Sequence, residues 1–232
     1  MKAQRLRFQY RITAEAAALG QRDLARAWED ALTAANLPLA HSEGKRSGPL
    51  IQIAAALPQG ATADGELADI FLDRPVDPAA ALAGVKKTMR PGVEPLSVDE
   101  AGVGGPSLQA LLRWAEYEVR VPADGLSADD VGRRIAGLLD ASSVPAEHRR
   151  EKKVRKYDLR PLVLAIRLEG AEDGAFLLSM RLRAEQELTA RADQTALALG
   201  LQEPLSVHRR RLHLEDVPAV LRAFRDAGER DR

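Results

Sequence analysis

The sequence predicts an α+β fold made of tandem ferredoxin-like (split βαβ) halves with antiparallel sheets. Two observations carry this expectation. Alternating strand segments and helical segments of 3.6 periodicity follow in the order β-α-β-β-α-β up to Gly102-Val-Gly-Gly-Pro106. After that glycine-rich break the same order of elements recurs. Residues 1–103 then form the first half, and residues 104–232 the second, with a basic loop and a short C-terminal helix. With 232 residues, 45% of them hydrophobic, the chain has the material for one large or two small cores.

Each element has its own signal. Leu6, Phe8, Tyr10 and Ile12 alternate with Arg5, Arg7, Gln9 and Arg11, the pattern of a half-buried strand with a basic open face. Leu24, Trp28, Ala31, Leu32 and Ala35 recur at helical spacing, predicting a helix over 21–35 that Asn36 and Pro38 end. Strands are expected over 37–40 and 50–57, around the turn His41–Pro49, and over 67–72. Asp77-Pro78 starts a helix over 79–89, and 93–100 is the closing strand. In the second half a strand over 111–121 leads to a helix capped by Ser127, with Asp129 and Asp130 in its first turn. Strands over 162–168 and 176–183, around a turn at 169–174, precede a short helix over 191–199. A strand over 205–214 and a helix over 217–227 end the chain.

Composition excludes several function classes. There is no cysteine, which removes disulfides, cysteine nucleophiles and iron–sulfur ligation by this chain. His208 and His213 are the two histidines close in sequence, and regular strand alternation puts them on opposite faces, so no metal site is expected. No apolar run approaches the ~20 residues of a membrane span, and the charged N-terminus lacks the apolar region of a signal peptide, so the expected localisation is cytoplasmic.

The chain is charge-neutral overall, yet seven of the twelve residues from Arg149 to Arg160 are Arg or Lys. Arg149, Arg150, Lys152, Lys153, Arg155 and Lys156 suit phosphate neutralisation, and Tyr157 could stack on an unpaired base. Arg5, Arg7 and Arg11 on the first strand, with Arg209, Arg210 and Arg211 on the last, would extend the positive surface over the open sheet faces. The bland alternative is a solvated loop tied by salt bridges to the acidic stretch Asp64, Glu66, Asp69, Asp73 and Asp77. In the His41–Pro49 turn, Gly44 and Gly48 permit close backbone approach and Lys45 and Arg46 supply charge. That turn is either a phosphate grip or a ligand-free hairpin loop.

The segments RLRFQYRIT, GQRDLARAWEDALTAANLPLAHSEG, IQIAAALPQG, ADIFLDRPVD, RKYDLRPLV, TARAD and VHRRRLHL together resemble the radical-SAM-linked protein family. That is a bacterial domain of unknown function, encoded beside or fused to a B12-binding-type radical SAM protein. The resemblance runs from about Arg5 to about Leu214. It implies functional polar positions at Asp23, Arg26, Ser42, Gly44, Asp158 and Arg160, and a radical SAM protein as partner. Two stretches depart from the family: Gly20-Gln-Arg-Asp23 stands where Ser-His-Leu-Asp is usual, and Gly44-Lys-Arg-Ser47 where Gly-Phe-Asn-Pro is usual.

Three functions remain open at this level. The first is a non-catalytic accessory protein of a radical SAM enzyme, with no cofactor of its own. It would bind tRNA or ribosomal RNA through the basic loop and a groove between the halves holding Asp23, Arg26, Ser42, Gly44, Lys45, Arg46, Asp158 and Arg160. The second is an adaptor for the radical SAM protein or its peptide substrate. The third is metal-independent RNA cleavage with His41 as general acid or base.

Overall fold

The computed structural model describes residues 2–43, 47–150, 153–185 and 189–215, with side chains at all of these except 148–150 and 153–155. The fold is α+β with a mostly antiparallel sheet. In chain order the elements are β1 (Gln4–Ile12), α1 (Gln21–Ala34), β2 (Ile51–Ile53), β3 (Thr62–Leu72), α2 (Pro78–Thr88), β4 (Val93–Ala101), α3 (Leu108–Leu111), β5 (Leu112–Pro122), α4 (Ala128–Asp140), β6 (Pro145–Arg150), β7 (Lys153–Asp158), β8 (Val163–Glu172), β9 (Ala175–Arg183), α5 (Ala192–Ala198) and β10 (Ser206–Leu214).

The helices form where the sequence places them, for identifiable reasons. α1 buries Leu24, Ala27, Trp28, Ala31 and Leu32, and it stops where Asn36 takes a left-handed φ of 54°. Asp77 accepts hydrogen bonds from the amides of Ala79 and Ala80 and so caps α2. Ser127 and Asp130 form a reciprocal capping box at α4, which buries Val131, Ile135 and Leu138.

Several boundaries differ from the expectation. Residues 37–40 make only one isolated bridge, Leu39 with Leu72, and β2 has shrunk to three residues. β3 begins five residues early, because backbone pairing with β1 and β10 carries it through the polar stretch Thr62–Glu66. The turn expected over 169–174 tightens to Asp173-Gly174, both at positive φ, as a two-residue hairpin turn requires. The helix expected over 217–227 lies outside the described residues.

One sheet takes in strands from both sides of the Gly102–Pro106 break in the order β4-β1-β3-β10-β5-β9-β8, with β2 also on β3. Leu6, Phe8 and Tyr10 of β1 face α1, where Trp28 packs against both rings at centroid distances of 5.4 Å and 5.1 Å. Tyr117, Val119 and Val121 of β5 build a second core with α4 and β8–β9. The two cores meet at β10, which is antiparallel to β5 but parallel to β3 at His208 and Arg209.

That seam leaves no room for a side chain at Gly65. A Cβ there would sit 2.9 Å from the Arg210 carbonyl oxygen and 3.3 Å from the Arg211 Cα, both backbone atoms. Gly65→Ala is therefore expected to lower stability by about 1–3 kcal/mol, the cost of overpacking, in a urea titration. Gly60→Ala is the wrong comparison because its φ is positive. Gly132, with open space around its Cβ position, is the right one, and Gly132→Ala should not destabilise.

Candidate nucleic-acid interface

The basic run folds as a β-ribbon, not the loop expected. β6 and β7 form a separate two-stranded antiparallel sheet that pairs Glu147 with Lys156, His148 with Arg155, Arg149 with Val154 and Arg150 with Lys153. Lys152 lies outside the described residues. Lys156 is 82% exposed, and its ammonium lies 3.4 Å from Glu147, a contact too solvated to hold the ribbon.

What holds the ribbon is its base. The Asp158 carboxylate accepts from the amides of Val144 (2.8 Å) and Arg160 (3.0 Å), and the Leu159 amide donates to the Val144 carbonyl at 2.8 Å. Those backbone donors, the Val144 amide first, keep the Asp158 carboxyl below its ordinary pKa. Arg160 donates from Nε to the Leu139 carbonyl and from Nη1 to the Val163 carbonyl, both at 2.9 Å, and Leu159 is fully buried. Asp158 and Arg160, expected in the groove with Asp23 and Arg26, instead tie the ribbon to α4 and β8 through backbone groups. Tyr157 is half-buried against the second core and faces the Arg191–Asp193 pair. Burial raises its hydroxyl pKa, opposed by the Arg191 charge.

The other expected site residues are placed apart from this base. Asp23 and Arg26 line a groove between α1 and α2 with Asp30, Thr88 and Arg90. Ser42 is used within its own turn, where its hydroxyl accepts from the Gly48 amide at 3.2 Å and its carbonyl accepts from the Ser47 hydroxyl at 2.8 Å. Gly44, Lys45 and Arg46 lie outside the described residues. His41 is exposed at an isolated bridge to Pro49, with Nδ1 2.9 Å from the Leu39 carbonyl oxygen. Among the described residues no group of three or more His, Asp or Glu could hold a metal.

The basic open face expected on β1 and β10 is largely a face of ion pairs, with Arg211 exposed on it. Asp69, fully buried, receives both Arg5 (Nε at 2.7 Å) and Arg7 (Nε at 2.8 Å). Arg5 also donates to the carbonyls of Gly102, Gly105 and Pro106, so the glycine-rich break is pinned over it. Arg11 meets Asp64 at 2.7 Å, and Arg210 meets Glu118 at 3.0 Å. Arg209 points the other way, into the seam. There it donates to both Glu66 oxygens at 2.7 Å and 2.6 Å and to the carbonyls of Ala55 and Ala56. Burial works against the Arg209 charge, and the Glu66 carboxylate overcomes it, raising the guanidinium pKa above its ordinary value. Asp64, Glu66 and Asp69 of the acidic stretch are therefore engaged by these arginines and Asp77 by the α2 cap, while Asp73 is exposed.

A bulge at Arg210 changes the register of β10. It puts His208 opposite Glu118 and His213 opposite Trp114, so the two histidines share the open face, contrary to simple alternation. His213 stacks on Trp114 with ring centroids 3.4 Å apart, and the Arg181 guanidinium lies 4.3 Å from the same indole. Burial lowers the His213 pKa, Glu116 opposes this, and the Arg211 and Arg181 charges add to it. The unfolded chain then binds more protons than the native one just below the ordinary histidine value of about 6.5. Stability from this group is full above that pH and is lost as pH falls toward the lower folded value. Urea midpoints should drop between about pH 7 and pH 5, and His213→Gln should flatten that drop. An unchanged profile would assign the loss elsewhere.

An α+β protein with one continuous sheet and an anchored basic ribbon is the class these features define. By sequence, the chain belongs to the bacterial family described as an uncharacterized protein conserved in bacteria (DUF2344), which matches residues 5–197. No curated protein matches it. Among solved structures it is similar to a Cbf5–Nop10–Gar1 complex, with a TM-score of 0.50 and 14% identity over 90% of this chain and 50% of that one. Lower similarity, TM-score 0.44 in both cases, is found to an H/ACA RNP bound to a substrate RNA containing 2′-deoxyuridine and to the archaeal box H/ACA sRNP Nop10–Cbf5 complex. Their identities are 13% and 11%, each over 87% of this chain and 46% of that one. The chain spans about half the length of these structures, and at such identity the likeness concerns the fold.

Proposed function

We propose that this protein binds structured RNA through the β6–β7 ribbon, acting as a non-catalytic accessory to a radical SAM enzyme. The observation that carries the reading is the ribbon itself. Five described basic positions, Arg149, Arg150, Lys153, Arg155 and Lys156, are spaced along two paired strands whose base Asp158 and Arg160 hold in place. Of the five carboxylates expected to neutralise that charge, Asp64, Glu66, Asp69 and Asp77 are engaged elsewhere, and Asp73 is exposed. A preformed ribbon of cations meets a phosphate backbone with little ordering cost and releases its counterions, which makes affinity steeply salt-dependent. The strand orders β4-β1-β3-β2 and β10-β5-β9-β8 support reading the halves as tandem ferredoxin-like units, with the ribbon inserted in the second. The radical SAM partner follows from the family resemblance. This chain has no cysteine to hold a cluster, so the partner would supply the radical chemistry.

Fluorescence anisotropy with labelled bulk tRNA, titrated from 50 to 300 mM salt, tests the reading. Binding at low salt that falls steeply along the series is expected, and no binding at 50 mM salt would sink it.

The adaptor reading draws support from one feature. The open face of the second half carries a groove of about 520 Å³ in which Arg181 meets Glu116 and Arg210 meets Glu118, with Arg167 and Glu169 alongside. Charge balanced in pairs suits a protein surface better than a polyanion. Co-purification of the neighbouring radical SAM protein, lost with Arg181→Glu, is its expected signature.

A further inference from the structure

We propose that the cavity between the two halves receives one unstacked nucleobase of the RNA that the ribbon holds. The inference deepens the RNA-binding reading and rests on it. The cavity has a volume of about 270 Å³ and is walled by both halves: Gln21 and the chain leaving β2 on one side, Gln109, Tyr117 and Arg191 on the other. Its floor is Arg209, 2% exposed.

Charge decides the kind of ligand. Arg209 is neutralised by Glu66, and Arg191 is neutralised by Asp193 through two bonds of 3.0 Å and 2.6 Å. A phosphate would enter with no net positive charge to receive it, and desolvating it there would be costly. A neutral heterocycle meets no such penalty. It needs an aromatic or apolar wall and a few hydrogen-bonding groups, and Tyr117 and the alanines after β2 supply the wall. Gln109 uses its Nε2 on the Ile53 carbonyl at 2.6 Å, which leaves its amide oxygen as an acceptor toward the cavity. Gln21, exposed at the first turn of α1, offers a donor and an acceptor at the mouth. Size agrees. Pockets for drug-sized ligands begin near ~300 Å³, so this one suits a single nucleoside and not two.

Position links the cavity to the ribbon. Tyr157, the second-last residue of β7, packs against the second core, to which Tyr117, Ala184 and Ala190 of the cavity lining also belong. Phosphates held along the ribbon would thus lead toward the core that walls the cavity, where an adjoining nucleotide would turn in. The walls are preformed. The Ala55 and Ala56 carbonyls are held by Arg209, so the chain after β2 cannot close over the space without breaking those bonds. Unstacking a base is costly, and least so for a base already in a loop. The site should therefore select single-stranded positions next to a duplex.

Two RNA probes of equal charge test this: a fully paired 16-base-pair duplex, and a stem-loop carrying 4-thiouridine in its loop. Wild-type protein is expected to bind the stem-loop about tenfold tighter than the duplex, and irradiation should cross-link the thiouridine within residues 109–117 or 189–191. Gln21→Trp places an indole at the cavity mouth from an exposed position and breaks no buried bond. It should abolish the stem-loop preference and the cross-link while leaving duplex affinity unchanged. Equal affinity for both probes, or a cross-link confined to the ribbon, would overturn the nucleobase site and leave RNA binding standing. Failure of both probes to bind at 50 mM salt would overturn both.

Discussion

Glu66→Gln is expected to destabilise the protein by about 3–5 kcal/mol, the cost of leaving a buried charge without its partner. Arg209 and Glu66 are 2% and 1% exposed and lie where the two cores meet. The substitution keeps the shape and removes the charge, so Arg209 remains a cation in the seam with only carbonyl oxygens and the Tyr117 hydroxyl around it. Tyr10, whose hydroxyl pKa burial raises and Glu66 raises further, would lose that second influence. Removing both charges with Glu66→Leu and Arg209→Met should recover part of the loss but not all. The Ala55 and Ala56 carbonyls, part-buried at the cavity, would then lose their donor, and an acceptor left unpaired costs up to about 1–3 kcal/mol. Urea denaturation of the two singles and the double forms a cycle that measures the coupling. A Glu66→Gln loss below ~1 kcal/mol would mean that solvent reaches the seam and that apolar contacts alone hold the halves.

Reversing two ribbon charges, Lys153→Glu with Lys156→Glu, should weaken RNA binding on the order of 10²-fold at 0.15 M salt. It should also flatten the salt dependence by about 1.4–1.8 in log–log slope, the loss of two phosphate contacts. Lys86→Glu with Lys87→Glu makes the same net change at exposed positions in the last turn of α2 and serves as the control. If both doubles weaken binding equally, the protein's overall field is responsible and the ribbon is not the interface. The folded base should survive either change, because Asp158, Leu159 and Arg160 make their contacts through groups that the substitutions do not touch. Far-UV circular dichroism and an unchanged urea midpoint would confirm that.

Elements with an apolar period were legible from sequence. Leu6-Phe8-Tyr10 announces β1, and Ser127 with Val131, Ile135 and Leu138 announces α4, since each pattern lies within one segment. The ribbon was not legible. Val154 and Tyr157 are the apolar side chains of β7, and backbone pairing with β6 makes it a strand. The open face was misread for a related reason. An arginine seen on one strand looks free until register supplies its partner: Asp69 stands opposite Arg7, next but one to Arg5, and only the fold brings Glu66 to Arg209. The seam cavity draws its walls from residues near 21, 55, 109, 117, 191 and 209, so no local motif could have pointed to it. Asp158 and Arg160 entered through the family resemblance alone, and their contacts to Val144, Leu139 and Val163 are backbone bonds that only the fold displays.

The place of β10 has a consequence for how the molecule is made. It is the last strand among the described residues but a middle strand of the sheet, and Arg209 must find Glu66 across 143 residues. Until residues 206–214 leave the ribosome, β3 and β5 each present an unfilled edge, and such edges recruit strands from other chains. The first half can organise early while the join waits for the final strand, so folding should be slow and concentration-sensitive in its last step. A chain cut short before Ser206 would keep nearly all of its apolar core residues and still lack the strand that makes the two halves one sheet.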